Sequence, residues 1–249
     1  MMNLLAAFVF FTRLPFWRIC PVSADSFKHV VPRWPVVGWL TGGVMAATLW
    51  LGAHFLPLSL AWLVAILSRI LITGALHEDG LADFSDGFGG GTSRRRTLEI
   101  MKDSHIGTYG VLGLVFYLLF LWQVPLSLPL PLLCTVAFCG DVWSKGCAAQ
   151  LINVLPYART EADSKAKVVY GRMSGWEFTL CLLAAALPLV LLLPIKFGWA
   201  AVAPLLVFVL LWRMMRRRLQ GYTGDCCGAT FLLCELSFYF AVVLLWKLF

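Results

Sequence analysis

Residues 74–110, GALHEDGLADFSDGFGGGTSRRRTLEIMKDSHIGTYG, form the polar centre of an otherwise apolar chain. Six of the chain's 13 acidic residues lie in this stretch, together with four cations. Long apolar runs flank it on both sides. Charged side chains beside membrane-spanning segments are costly and usually mark a functional site. We therefore predict that this stretch holds an active site and that the surrounding apolar segments form its scaffold.

Composition indicates a membrane protein. The 249 residues are 60% hydrophobic and 13% charged, with a mean hydropathy of +0.82, whereas soluble domains are about 25% charged. Residues 1–12 are apolar but too short to cross a bilayer. Seven later runs are long enough to do so: 35–55, 58–76, 108–124, 131–152, 178–194, 198–212 and 229–248. The predicted fold is an all-α integral membrane protein, a polytopic bundle of about seven transmembrane helices with an N-terminal interfacial segment, forming a single domain over residues 1–249.

Cations are concentrated in every second loop. Residues 13–33, 77–107, 153–177 and 213–227 hold four Lys or Arg each, which is 16 of the chain's 20. Basic loops stay in the cytoplasm, so these four segments are predicted to be cytoplasmic and the C-terminus to be outside. This pattern accounts for the net charge of +7 without a nucleic-acid partner. Eight cysteines contain no CxxC pair, and we predict no disulfides.

Three aspartates predict a metal site. Asp79, Asp83 and Asp86 are spaced i, i+4 and i+7, so a helix would place them on one face. Three neighbouring carboxylates repel one another unless a cation neutralises them. Mg²⁺ binds a few carboxylates together with substrate phosphates. We therefore predict these three as Mg²⁺ ligands, with a solvated acidic loop as the alternative.

A glycine run follows the aspartates and predicts a phosphate site. Residues 87–91 are expected to end the helix, and Thr92 or Ser93 to cap a second helix at about 93–104. A glycine-rich turn before a helix N-terminus that carries arginines suits a phosphate group. A flexible hinge with topology-setting arginines is the alternative. The predicted substrate ligands in this stretch are Arg94, Arg96 and Lys102.

Candidates for acid–base chemistry lie on either side of this run. Asp86 or Asp103 is predicted to accept a proton, and His77 to act as a base or to support the metal ligands. A structural histidine is the alternative for His77. Asp225, between two glycines in a later polar loop, is predicted to orient the substrate or complete the metal site.

Other polar or small residues lie inside the apolar runs. Asp141 and Lys145 are four residues apart and predict an internal ion pair, although Lys145 could instead bind a phosphate. Glu235 has no evident partner and is predicted to be functional. Gly38 and Gly42 form a GxxxG pattern that predicts close helix packing.

Several motifs together resemble one known family. HEDGLADFSDG, LEIMKDSHIGTYG and GYTGDCCGA followed by Glu235, with FFTRLP and PVVGWLTGG near the start, are similar to the cobalamin-5'-phosphate synthase (adenosylcobinamide-GDP ribazoletransferase) family nearly end to end. The resemblance implies transfer of adenosylcobinamide phosphate from adenosylcobinamide-GDP to α-ribazole or its 5'-phosphate. It also implies release of GMP, a need for Mg²⁺, and a place in the bacterial inner membrane with the active site facing the cytoplasm. Glu78 departs from the family, which has an apolar residue there, and residues 158–172 match poorly.

The expected reaction is attack of the ribazole 5'-hydroxyl on the cobinamide-side phosphorus, with GMP leaving. Two other classes would also place acids at a membrane face. A CDP-alcohol phosphotransferase uses clustered aspartates, but its later motif spacing is not met here. A cation transporter would hold its acidic site near the bilayer midplane rather than beside loops. A homo-oligomer is left open by the sequence.

Overall fold

The structure is a computed structural model that describes residues 2–160 and 169–249, and it is built from helices. Ten of these helices have at least nine residues, and α8 is a single turn. In chain order they are α1 Met2–Phe11, α2 Trp34–Gly52, α3 Leu58–Thr73, α4 Leu76–Gly90, α5 Arg94–Lys102, α6 Thr108–Gln123, α7 Leu130–Ala149, α8 Leu151–Val154, α9 Gly175–Leu192, α10 Val202–Arg218 and α11 Gly224–Leu248.

The predicted helical membrane bundle is confirmed, and each of the seven apolar runs lies largely in a helix. Five helical segments of the described chain are long and apolar enough to cross a membrane alone, and α3 with α4 makes a sixth as one bent span. The count of seven is not reproduced. Asp141 and Lys145 lower the hydropathy of α7, and α3 is only 16 residues long.

A sharp bend between α3 and α4 redirects the chain. The two helices meet at 89°, with Gly74 at φ 65° and Ala75 at φ 57°. Left-handed backbone costs glycine little, but it is unfavourable for alanine. The backbone N–H of Arg13 donates to Ile72 O at 2.7 Å, which ties the N-terminal segment to this bend. As a result, the N-terminus of α4 faces the interior of the bundle instead of continuing along α3.

The GxxxG pattern in α2 packs against α7, as predicted. A Cβ atom on Gly38 would lie 3.1 Å from Val142 Cα, and one on Gly42 would lie 3.0 Å from Asp141 Cβ. Small residues allow helix backbones in membranes to approach this closely. The glycines therefore bring α2 into contact with the polar residues of α7.

A pair of adjacent glycines tests this contact. Gly42→Ala is expected to destabilise the protein by about 1–3 kcal/mol, since the added methyl group overpacks a tight helix crossing. Gly43→Ala is the matched control, because its Cβ would meet only the Phe138 ring at 3.9 Å. Unfolding in sodium dodecyl sulfate, followed by circular dichroism, measures both. Equal stability of the two variants would contradict the packing role.

The four basic segments lie together at one end of the bundle. Gly171 N donates to Lys28 O at 3.3 Å. The Arg94 side chain donates to Ala158 O at 2.9 Å and to Leu219 O at 2.7 Å. These bonds join all four segments, so the alternation of charge predicted their common side correctly. Two of their cations, Lys165 and Lys167, lie outside the described residues.

The glycine run ends α4 within the predicted stretch, at its last two residues. The helix continues to Gly90, and Gly91 is its extended C-cap. A Cβ on Gly87 would collide with the Met101 side chain, and one on Gly91 with Thr97 of α5. These glycines therefore serve the close packing of α4 on α5 as well as the end of the helix. The second predicted helix is confirmed as α5, with Ser93 Oγ accepting from Arg96 N at 3.2 Å as its N-cap.

Candidate active site

The N-termini of α4 and α11 meet in the interior and create the candidate site. A Cβ on Gly80 would lie 3.1 Å from Asp225 Cα and O, and one on Gly228 would lie 3.2 Å from His77 O. Thr223 caps α11 by accepting from Cys226 N. Asp79 and Asp225 lie in the first turns of their helices. Both acids therefore sit where helix dipoles favour negative charge.

A cavity of about 120 Å³ lies at this junction and opens to the surface. Pockets for drug-sized ligands are usually about 300–1,000 Å³, so this cavity accommodates only part of a large substrate. Its charged residues and His77 come from three regions of the chain, and half of the other lining residues are aromatic. The lining residues are Phe10, Phe11, Val31, Trp34, Leu76, His77, Asp79, Tyr157, Arg159, Tyr170, Gly224, Asp225, Cys227 and Gly228.

The three predicted metal ligands lie in α4, and their surroundings differ. Asp79 is exposed and lines the cavity, and Asp83 is half-buried one turn further on. Asp86 is buried and accepts from Gly107 N at 2.7 Å and Gly110 N at 2.8 Å. Seven residues of helix separate Asp79 from Asp86 by about 10 Å along the axis. Among the described residues, no three His, Cys, Asp or Glu side chains are grouped to hold a metal ion.

The Asp86 carboxylate links α4 to the start of α6 through two hydrogen bonds. Replacing Asp86 by alanine is expected to destabilise the protein by about 2 kcal/mol or more, because two backbone N–H groups would lose a charged acceptor. Ser85→Ala is the control, since Ser85 donates only to Leu81 O within its own helix. The free energy of unfolding and the turnover of the folded fraction are measured together. Loss of turnover without loss of stability would instead assign Asp86 a chemical role.

The other predicted catalytic residues differ in position. His77 is buried and lines the cavity. Asp103 is the exposed C-cap of α5 and accepts from His105 N at 3.0 Å. Hydrogen bonds from His105 lower the pKa of Asp103, which makes it a weaker base. His77 is therefore the predicted acid–base residue that the fold brings to the cavity.

The predicted phosphate ligands of α5 border a second, basic groove next to the cavity. Arg94 and Lys102 line this groove with Arg95 and Arg159. Arg159 also lines the cavity, so the two sites adjoin. Arg96 is not in the groove lining and instead pairs with Glu99 at 3.4 Å. Hydrogen bonding from Arg95 lowers the pKa of Glu99, so this acid offsets part of the positive charge.

Lys145, the other predicted phosphate ligand, is fully buried and paired with Asp141. The predicted internal ion pair is therefore confirmed. Thr41 contacts both partners, accepting from Lys145 Nζ at 2.9 Å and donating to Asp141 Oδ2 at 2.7 Å. The Phe231 ring centroid lies 4.2 Å from Lys145 Nζ.

Arg69 joins this pair to two further acids. It lies 2.5 Å from Glu235 and 3.6 Å from both Glu78 and Asp141. We call these five residues the buried charge cluster: Arg69, Glu78, Asp141, Lys145 and Glu235. Glu235 therefore has the partner that the sequence did not reveal. Glu78, the departure from the family pattern, is buried against Arg69 and does not face water.

Sequence reasoning missed several cavity residues. Trp34 is 1% exposed and stacks on Phe11 with ring centroids 5.0 Å apart. Arg159 lies in the basic segment 153–177, whose cations were interpreted only as signals of membrane orientation. Tyr157 and Tyr170 lie in a loop without a recognisable motif, and burial raises the pKa of the Tyr170 hydroxyl. No periodicity marks these positions, because they come together only through the fold.

Comparisons of this sequence with known proteins agree on one protein family. The family model described as cobalamin-5-phosphate synthase matches residues 3–243. An adenosylcobinamide-GDP ribazoletransferase of Shewanella oneidensis is 38% identical over 241 residues, covering 94% of this chain and 90% of the relative. The protein of the same name from Shewanella amazonensis is 38% identical over 249 residues, covering 98% and 95%. No solved structure matches this chain.

Proposed function

This chain belongs to the cobalamin-5-phosphate synthase family, and we infer that it catalyses the transfer for which its relatives are named. It is a multi-pass membrane transferase of a late step in cobalamin synthesis. The adenosylcobinamide phosphate moiety passes from adenosylcobinamide-GDP to α-ribazole or its 5'-phosphate, with release of GMP. The observation that carries the site assignment is the cavity where Asp79 and Asp225 line the meeting point of two helix N-termini.

The transfer replaces one phosphorus–oxygen bond by another. A ribose hydroxyl of the acceptor forms the new bond to the cobinamide-side phosphorus, and the bond to the GMP oxygen breaks. The family description names a 5-phosphate product. A phosphorylated 5' oxygen cannot attack, so with that acceptor the nucleophile is another ribose hydroxyl and not the 5'-hydroxyl expected earlier. His77, Asp79 and Asp225 are the bases that line the cavity, and the hydroxyl proton leaves to one of them.

The residues present fit a Mg²⁺ ion. Asp79 and Asp225 supply hard oxygen ligands from two helices at a cavity open to solvent. Mg²⁺ needs only one or two carboxylates when substrate phosphates and waters complete its coordination. We therefore propose Asp79 and Asp225 as the residues that would hold it, with Asp83 one turn away in α4. When bound, the ion would offset the charge that develops on the diphosphate.

The remaining charges would orient the substrate. Arg159 lies between the cavity and the basic groove, where the guanidinium would meet the diphosphate. Arg94 is held by carbonyls of Ala158 and Leu219, so it positions the groove wall. The concentration of cations on this side supports a cytoplasmic orientation in a bacterial inner membrane. The apolar surface of the other helices would face the lipid.

Membranes that contain the full chain test this function. Adenosylcobinamide-GDP and α-ribazole should yield GMP and a cobalamin product in amounts that match, and chelation of Mg²⁺ should stop both. Membranes from cells without the protein are the control. GMP formed without a cobalamin product would indicate a hydrolase, and no GMP from intact substrate would reject the transferase assignment.

A further inference from the structure

The cavity wall is aromatic on several sides. Phe11 and Trp34 stack nearly parallel, with 5° between their planes. Tyr157 and Tyr170 meet edge to face, with centroids 6.2 Å apart, and Phe10 meets Tyr170 in the same way at 6.1 Å. Aromatic walls of this kind bind flat, unsaturated rings by stacking and edge contacts. A cavity volume of about 120 Å³ suits one such ring system and not a macrocycle.

Three cavity residues carry buried nitrogen atoms that have no hydrogen-bond partner among the described residues. These atoms are Trp34 Nε1, His77 Nε2 and Arg159 Nε. The Trp34 and Arg159 atoms are obligate donors. Leaving a buried donor unpaired is costly, so such atoms in three residues that line one cavity favour a ligand that brings acceptors. A nucleoside offers them as ring nitrogens and ribose oxygens.

The cavity and the basic groove differ in charge, and this difference indicates which substrate binds in each. Asp79 and Asp225 would hold the Mg²⁺ ion, and apart from them the described cavity lining has one Lys or Arg side chain, Arg159. The groove next to it is lined by Arg94, Arg95, Lys102 and Arg159 against the single acid Glu99. An anionic guanosine diphosphate therefore fits the groove. The aromatic base of the acceptor fits the cavity, where a carboxylate can accept a hydrogen bond from the ribose.

We propose that the cavity is the binding site for the acceptor nucleoside, with its bicyclic azole base enclosed by Phe10, Phe11, Trp34, Tyr157 and Tyr170. This assignment rests on the proposed transferase function and specifies which substrate enters which site. It also gives α1 a role, because its last two residues, Phe10 and Phe11, form one wall. The diphosphate then lies at Arg159, between the groove and the ribose hydroxyl that attacks.

Steady-state kinetics of the full chain in lipid nanodiscs separates the two sites. Tyr157→Leu should raise KM for α-ribazole about tenfold, the effect of losing one stacking contact, and change KM for adenosylcobinamide-GDP less than about twofold. Tyr157→Phe keeps the ring and should restore most of the affinity. Phe27→Leu is the matched control, since Phe27 packs on Phe10 at 6.5 Å but does not line the cavity. It should leave both KM values unchanged.

Binding without turnover gives the second measurement. Calorimetric titration of α-ribazole should detect binding to the wild-type chain and about tenfold weaker binding to Tyr157→Leu, while GMP binds both alike. Equal α-ribazole affinity in the two proteins, or weaker GMP binding only, would overturn the assignment. If the site assignment is overturned but the wild-type chain still catalyses the transfer, the proposed function is retained. A wild-type chain that binds α-ribazole but never transfers would instead reject the function.

Discussion

Asp79→Asn is expected to lower transferase turnover at least about 100-fold while the protein folds normally, because loss of a metal-binding carboxylate removes several kcal/mol of transition-state stabilisation. Asp79 is exposed at the cavity, so its side chain contributes little to bundle packing. GMP release at saturating substrate measures the effect. The free energy of unfolding in sodium dodecyl sulfate should stay within about 0.5 kcal/mol of wild type, as for most surface substitutions.

Asp25→Asn is the matched control for Asp79→Asn. Asp25 is also an exposed carboxylate on the basic side of the bundle, and it pairs only loosely with Lys28 at 3.3 Å. It should retain full turnover. If Asp79→Asn retained turnover as well, the metal site would have to be built without Asp79. The structure would then leave Asp225 as the acid of the cavity.

Arg69→Leu is expected to cause the largest loss of stability, about 3–5 kcal/mol, because removing one partner leaves buried charges uncompensated. Arg69 is 1% exposed and lies within 3.6 Å of three carboxylates. It also donates to Tyr117 Oη at 2.9 Å. Sodium dodecyl sulfate unfolding of the reconstituted chain provides the measurement. Arg213→Leu, at an exposed position of α10, should change the stability little.

A double-mutant cycle isolates the Arg69–Glu235 pair. Arg69→Leu with Glu235→Leu removes both ends of the contact and should be more stable than the sum of the single losses predicts, by more than about 1 kcal/mol. If Arg69→Leu fails to fold, Glu235→Gln tests the same pair, because it removes the charge and keeps the shape of the side chain. It should still lose stability. Additive effects in the cycle would mean that the buried charge cluster does not act through this pair.

Local patterns in the sequence were sufficient to predict many features. Apolar runs predicted the helices, Ser93 predicted the start of α5, and the four-residue spacing of Asp141 and Lys145 predicted their pairing. These features depend on neighbours within one or two helical turns, so residue order alone specifies them. The alternation of cations predicted which loops lie at the same end of the bundle. Loops separated by two membrane-spanning segments return to the same side of the membrane.

Other features depend on how helices cross. Asp79 and Asp225 reach one cavity because Gly80 and Gly228 let α4 and α11 approach closely. Asp86 shares a helix face with Asp79 by spacing, yet its carboxylate binds the backbone of α6 instead. Helical spacing gives the direction of a side chain but not what lies opposite it.

The sequence by itself therefore determined the family, the membrane-spanning helical class and the charged stretch around which the site is built. Only the tertiary structure decided which charges neutralise one another inside the bundle and which remain at the cavity. Arg69 and Glu235 are 166 residues apart, and neither is paired with an opposite charge in its own helix. The physical reason is that burial makes an unpaired charge costly, and the partner that removes this cost is selected by helix packing, not by distance along the chain.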